Sequence, residues 1–69
     1  MKRFDKNKFI EIREEKGYSQ NDVAYLNDLA LNTVKNWEEN DVLPNADNIG
    51  KLAEFFDVKT DYFYTEVEE

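Results

Sequence analysis

Hydrophobic residues recur along most of this chain at the three- and four-residue spacing of amphipathic helices. Phe9 and Ile12 share one helical face, and Val34 and Trp37 share another. No segment sustains the apolar-polar alternation of a half-buried strand, so we expect no β-strands. The pattern predicts an all-α domain with helices over 5–16, 19–26, 30–39 and 45–56, followed by a short fifth helix that carries Phe63.

Residues that favour helix ends stand at the predicted boundaries. Ser19 is a strong N-cap for the second helix, and Asp22 three residues later completes a pair of the capping-box kind. Gly17 ends the first helix, because glycine readily adopts the left-handed backbone that follows a helix. Asn45 caps the fourth helix, and we expect the last four residues, 66–69, to fray.

Two short helical patterns lie between Ser19 and Pro44, separated by a three-residue break at 27–29. So short a break suits two helices that meet at a steep angle, and it leaves no room for a Ca²⁺ loop or a βαβ crossover. This stretch resembles the helix-turn-helix of the lambda-repressor-like and Cro-type family, also called the XRE type. The matching positions are Ser19-Gln20, Val23-Ala24, Leu29, Val34, Trp37-Glu38 and Pro44.

The resemblance covers roughly residues 8–64 and implies a five-helix, lambda-repressor-like fold. It also implies a DNA-binding domain whose third helix, about 30–39, enters the major groove. Where the family usually has glycine, this chain has Asp28, Asn40 and Asp57, which tolerate a left-handed backbone better than other residues do. Ala30 stands where similar proteins place a capping serine or threonine, so we expect no side-chain cap on the third helix.

The outward face of the third helix holds the residues that the resemblance assigns to base reading. Because Val34 and Trp37 face inward, these are Leu31, Asn32, Lys35 and Asn36, with Thr33 at the flank. Asparagine can pair with adenine through two hydrogen bonds, lysine can donate to guanine, and leucine can contact a thymine methyl group. The alternative interpretation is an ordinary solvated helix face.

Other residues are assigned supporting roles. The resemblance implies a phosphate contact at Gln20, which could equally be a first-turn polar residue, and we expect Asn45 and Asn48 near phosphate through the helix N-terminus. It also implies a structural ion pair between Arg13 and Glu38. Trp37 is expected in the core rather than stacked on bases. Phe55, Tyr62 and Tyr64 remain after the core is filled, so they could form a dimer contact, wrap the core or contact another protein.

Composition narrows the function. The 69 residues form one domain, 1–69, and contain no cysteine and no histidine, which excludes disulfides, zinc-finger sites and histidine catalysis. Neither paired-carboxylate spacing nor an EF-hand pattern occurs, so we expect no enzymatic activity, no metal and no cofactor. Because no signal peptide or long apolar run is present, we expect a soluble, cytoplasmic protein without membrane contact.

Charge leaves two hypotheses open. The net charge is −7, but residues 1–16 carry +2 and residues 38–69 carry −8, so the acid lies away from the third helix. The first hypothesis is a transcriptional regulator, a repressor, that binds operator DNA as a homodimer. The alternative is a protein-interaction module that keeps the fold and has lost DNA binding, such as an antirepressor or an antitoxin-like partner.

Overall fold

A computed structural model describes residues 1–67. In this part of the chain, four α-helices lie between two short strands that pair with each other. The elements in chain order are β1 (Lys2–Phe4), α1 (Lys6–Glu15), α2 (Gln20–Leu26), α3 (Leu31–Glu39), α4 (Ala46–Phe56), a 3₁₀ helix (Thr60–Phe63) and β2 (Tyr64–Glu66). Within residues 1–67 no helix is long and apolar enough to cross a membrane.

The two strands correct the prediction of an all-α, five-helix domain. β1 and β2 pair antiparallel, with Lys2 opposite Glu66 and Phe4 opposite Tyr64. Three residues are too few to produce a detectable alternation, and the pairing joins the two ends of the chain. The expected fifth helix is a single 3₁₀ turn of four residues. Glu66 is paired rather than frayed, and residues 68–69, which we also expected to fray, lie outside the described part.

Most predicted helix boundaries are confirmed. Ser19 and Asp22 form a reciprocal capping box, in which each side chain accepts from the other residue's backbone N–H. Asn45 caps α4 by accepting from the N–H of Asn48 at 2.8 Å. Ala30 is the N-cap of α3 and provides no side-chain hydrogen bond, as expected.

Left-handed backbone occurs at two of the three predicted positions. Asp28 and Asp57 have φ of 57° and 58°. Asn40 was the wrong choice, because its φ is −121° and the left-handed residue is Asp41, with φ of 56°. The N–H groups of Asn40 and Val42 both donate to the carbonyl of Asn36, so the chain turns one residue later than predicted.

The core gathers around Phe9, whose side chain is fully buried. Its ring centroid lies between 5.9 and 6.4 Å from the rings of Phe4, Trp37, Phe56 and Phe63. These rings come from β1, α3, α4 and the 3₁₀ helix, so one residue of α1 holds four other elements. Burial of α3 through Trp37 fixes which of its faces remains exposed.

Candidate nucleic-acid interface

The segment 20–39 forms a helix-turn-helix unit in which α2 and α3 pack against each other. The turn is closed by the N–H of Leu29, which donates to the carbonyl of Ala24 at 2.8 Å. The side chain of Asn27 donates to the carbonyl of Val23 at 2.9 Å and ends α2. Asp28 supplies the left-handed residue between the two helices. Backbone bonds at both sides of Asp28 therefore fix the turn.

The inner face of α3 is held by Val34 and Trp37, which are 0% and 2% exposed. This burial leaves Leu31, Asn32 and Lys35 exposed on the opposite face. Leu31 is 37% exposed, so an apolar side chain is accessible on this helix beside the two polar ones. The structure therefore brings three of the five predicted base-reading residues together on an open helix face.

The other two predicted base-reading residues, Thr33 and Asn36, are half-buried. The side-chain oxygen of Asn36 accepts from the side-chain amide of Asn40 at 2.8 Å. This bond orients the Asn36 amide and leaves its NH₂ group as the unused donor. Asn36 can thus donate to a base, while its oxygen has one remaining acceptor site for the second bond that adenine would need.

A buried ion pair sets the orientation of α3 relative to α1. Arg13 donates to both carboxylate oxygens of Glu38, from Nε at 2.7 Å and from Nη2 at 3.0 Å. The third guanidinium nitrogen donates to the carbonyl of Tyr18 at 2.8 Å. The two side chains are only 10% and 4% exposed. The predicted structural pair is present, and its two-pronged geometry restricts rotation of either helix.

Gln20 extends this ion pair to α2. Its side-chain nitrogen donates to Glu38 Oε1 at 2.9 Å and to Glu39 Oε2 at 3.2 Å. The donor group of the Gln20 amide is therefore engaged by two carboxylates. Its oxygen remains, but an oxygen acceptor cannot donate a hydrogen bond to a phosphate. The structure places the predicted phosphate contact in a clamp of α1, α2 and α3, which we call the Arg13–Glu38–Gln20 clamp.

The other predicted phosphate contacts lie at the start of α4. Because the N–H of Asn48 donates to the side-chain oxygen of Asn45, that N–H is not free to bind an anion. The N–H of Ile49 likewise donates to the Asn45 carbonyl. Asp47 is exposed in this first turn and adds a negative charge. The start of α4 is thus a weaker phosphate site than its cap predicts.

Few positive charges surround the exposed face of α3. Lys35 is the one basic residue between positions 17 and 50 of the sequence. The negative charges nearby are partly neutralised, since Arg13 holds Glu38 and Lys6 donates to Asp41 at 2.7 Å. The hydrogen bond and the charge of Lys6 lower the pKa of the Asp41 carboxyl from its usual 3.8.

The three aromatic residues predicted for dimer contact pack against different neighbours. Phe55 packs on the ring of Tyr18 at 5.1 Å, Tyr62 packs on Phe63 at 5.4 Å, and Tyr64 belongs to β2. All three are half-buried against the core. Burial, followed by the charges of nearby carboxylates on α1, raises the pKa of Tyr62 above 10.0.

Two residues that support the site were not identified from the sequence. Glu39 accepts from Gln20, and Asn40 holds the side chain of Asn36. The Asn36–Asn40 pair has the i, i+4 spacing of helix neighbours, which could have indicated it. The Gln20–Glu39 contact joins residues on different helices, so local spacing carries no sign of it.

Comparison with known families agrees with this geometry. A family model described as a helix-turn-helix domain matches residues 7–69, well over half of the chain. No curated protein matches the chain. The matched residues include both helices of the 20–39 unit and the whole Arg13–Glu38–Gln20 clamp, in agreement with the resemblance to XRE- and Cro-type domains. The chain therefore belongs to the helix-turn-helix domain family.

Proposed function

We propose that this protein is a sequence-specific transcriptional regulator, a repressor, that inserts α3 into the major groove of operator DNA. The observation that carries the proposal is the open face of Leu31, Asn32 and Lys35 on a helix whose opposite face is buried. These side chains offer an apolar contact, an amide that can both donate and accept, and a cationic donor. Together such groups discriminate between base pairs. Membership of the helix-turn-helix family supports the same use of α3.

Thr33 and Asn36 complete the proposed reading face from its flank. Asn36 contributes its free NH₂ group, already oriented by Asn40. Gln20, Asn45 and Asn48 are secondary in this proposal, because their polar groups are engaged within the protein. Gln20 acts mainly by positioning α2 against α3. Base contacts therefore contribute more to binding here than phosphate contacts do.

We further propose that the protein acts in the cytoplasm and binds DNA as a homodimer. Two copies would then place their α3 helices in successive major grooves, about 34 Å apart, on a two-fold symmetric operator. Phe55, Tyr62 and Tyr64 are the proposed dimer contacts, and their separate surroundings mean that each must be tested individually. The stoichiometry of the DNA complex, measured by sedimentation velocity, gives the first answer.

The test of base reading is selection from random duplex DNA at low salt, followed by titration of the enriched sequence. Asn32→Ala and Lys35→Ala should each cost about 1–3 kcal/mol and relax the preference at one base pair. Asn7→Ala and Lys59→Ala are matched controls, since they remove the same groups from exposed positions outside the 20–39 unit. Equal binding by all four variants would refute the proposed reading face.

The same selection addresses the alternative function. If no duplex is enriched although the protein is folded, the helix-turn-helix unit is a protein-interaction module instead. Trp37 is the single tryptophan and is buried beside the clamp, so its fluorescence reports whether each variant is folded. A folded protein that selects no DNA would overturn the repressor proposal outright.

A further inference from the structure

The outer edge of β1 has free backbone hydrogen-bonding groups. Asp5 N–H donates to the carbonyl of Phe63 at 2.7 Å, and Val67 N–H donates to the carbonyl of Met1 at 2.9 Å. In an antiparallel pair, bonded and non-bonded residues alternate, so the odd-numbered residues of this segment face β2. The N–H and C=O groups of Lys2 and Phe4 therefore point away from β2. Within residues 1–67, no hydrogen bond from another element uses them.

The edge of β1 lies beside an apolar groove. Two neighbouring cavities of about 250 Å³ and about 510 Å³ separate β1 from the loop that joins α3 to α4. Both are lined by Arg3, Phe4 and Leu43. We call this surface the β1 groove; its other apolar lining residues are Met1, Trp37, Val42, Pro44, Tyr64 and Val67.

Side chains at the β1 groove are unusually exposed for their type. Met1, Val42, Leu43 and Val67 are 86%, 47%, 55% and 37% exposed. These are four of the seven large apolar side chains that residues 1–67 leave exposed. Contiguous apolar surface next to a strand edge is a typical feature of sites that bind an extended chain.

The β1 groove carries charges of both signs. Asp5, Lys6 and Asp41 line its smaller cavity, where Lys6 binds Asp41, while Lys2 and Arg3 lie on the strand itself. Lys2 and Arg3 are exposed, and neither makes an ion pair with another residue of the range 1–67. Glu66 stands opposite Lys2 in the register, but its carboxylate binds the N-terminal ammonium of Met1 at 2.7 Å. Among residues 1–67, two cations without an ion-pair partner therefore lie on the strand whose edge is free, in a chain of net charge −7.

From these observations we propose that the β1 groove binds an extended, acidic segment of another protein, which adds to the sheet as a third strand. Its backbone pairs with Lys2 and Phe4, its apolar side chains contact Leu43 and Pro44, and its carboxylates face Lys2 and Arg3. This is recognition by strand addition, in which backbone bonds give affinity and side-chain pockets give selectivity. The site is separate from the reading face of α3.

A second copy of this chain fits the edge less well. The pairing that uses the free groups of both Lys2 and Phe4 in each copy would set Arg3 directly opposite Arg3 of the second copy. Like charges directly opposite each other destabilise a sheet. DNA fits less well too, because two cations provide few phosphate contacts and the apolar groove would remain unused.

The test uses a fluorescent synthetic peptide with four Glu-Val repeats, and an otherwise identical Lys-Val peptide as the charge control. Anisotropy measures binding, and amide hydrogen exchange by NMR reports protection of the Phe4 N–H. We expect the acidic peptide to bind and to protect the Phe4 N–H, and the Lys-Val peptide to do neither. Leu43→Ser should weaken binding, because it removes an apolar contact of the peptide. Leu43 is exposed, so this change leaves the core undisturbed.

The sharpest variant is Lys2→Pro. Proline removes the outward N–H of Lys2 but breaks no bond to β2, and it is tolerated on edge strands. We expect Lys2→Pro to weaken the acidic peptide about tenfold or more, and Lys2→Ala, which removes only the charge, to weaken it about threefold. Unchanged amide signals of Asp5 and Phe63 establish that the strand pair is intact in both variants. Lys59→Ala controls for general loss of charge.

Several results would overturn the proposal. Equal binding of the two peptides, no protection of Phe4, or wild-type affinity in Lys2→Pro would each refute strand addition. Protection of Phe4 that rises with protein concentration in the absence of peptide would identify a second copy as the occupant. Protection on addition of selected operator DNA would identify the edge as a DNA contact. Because Asn32 and Lys35 are not involved, the results with the two peptides are independent of whether α3 reads DNA.

Discussion

Removal of either partner from the Arg13–Glu38 pair should destabilise the protein severely. Both side chains are at least nine-tenths buried, so the remaining charge would be left without a partner in a largely dry environment. Breaking a buried pair in this way costs about 3–5 kcal/mol. A chain of 69 residues has a total free energy of unfolding of about 3–10 kcal/mol. Arg13→Met or Glu38→Leu should therefore unfold a large fraction of the protein at room temperature.

The double variant separates the penalty of an orphaned charge from the value of the pair itself. With Arg13→Met and Glu38→Leu combined, no buried charge remains, and replacement of an ion pair by apolar residues is often neutral. Gln20 keeps Glu39 as a partner. The carbonyl of Tyr18 loses its donor, at a cost of about 1 kcal/mol. We expect the double variant to be within about 2 kcal/mol of the wild type.

Urea denaturation followed by Trp37 fluorescence provides the assay, since this tryptophan is buried and lies next in sequence to Glu38. With single variants that lose about 3–5 kcal/mol each and a double variant that loses at most about 2 kcal/mol, the coupling energy should be at least about 4 kcal/mol, above the usual range for residues in contact. A coupling energy below about 0.5 kcal/mol, or single variants that each lose less than about 1 kcal/mol, would refute the inference that the pair is desolvated.

Three further predictions concern single positions. Ala30→Ser should add the missing N-cap of α3 and raise the free energy of unfolding by about 1 kcal/mol, which thermal melting would detect as a rise of several degrees; an unchanged melting temperature would contradict it. The Asp41 carboxyl should titrate below 3.8 by NMR and return to that value in Lys6→Met. Since its pKa is lowered by folding, its stabilising effect is present above pH 3.8 and lost as the pH falls through the folded pKa; identical titration in both proteins would exclude the Lys6 contact. Asp57→Gly should stabilise by about 0.5 kcal/mol because Asp57 is left-handed, whereas Asn40→Gly should destabilise by about 0.5–1 kcal/mol, and the opposite order in urea denaturation would contradict the assigned backbone.

The helices could be predicted because their signals are local. A period near 3.6 marks the buried faces, and caps such as Ser19 and Asn45 lie within three residues of the groups that they bind. The strands could not be predicted, because β1 and β2 are three residues long and their paired residues lie at least 60 positions apart. The resemblance points to Asn40 because the family usually has glycine at that position. Asp41 tolerates the left-handed backbone equally well, and the hydrogen bonds to Asn36 place the left-handed residue there.

The candidate site likewise has features that the sequence predicts and features that it does not. The exposure of Leu31, Asn32 and Lys35 followed from the inward positions of Val34 and Trp37, since one helical period relates the two faces. Asn36, also expected to face outward, is half-buried. The partners of Gln20 could not be predicted from the sequence, because Glu38 and Glu39 contact it only when α2 and α3 are packed. Sequence reasoning therefore located the open helix face, whereas tertiary contacts decide which polar groups are still free to bind a ligand.

The distribution of free polar groups bears on how such a domain can select DNA. Arg13 binds the buried Glu38, Lys6 binds Asp41 at the surface, and Gln20 and Asn45 direct their polar groups to neighbouring residues. Within the 20–39 unit, the side chains of Asn32 and Lys35 are exposed and the Asn36 NH₂ group is unused, and the proposed function assigns these groups to base edges. Sequence-independent affinity comes almost wholly from phosphate neutralisation, and the 20–39 unit contributes little to it because Lys35 is its one basic residue. A greater share of the binding free energy would then depend on the base sequence, and discrimination would be gained at the expense of affinity.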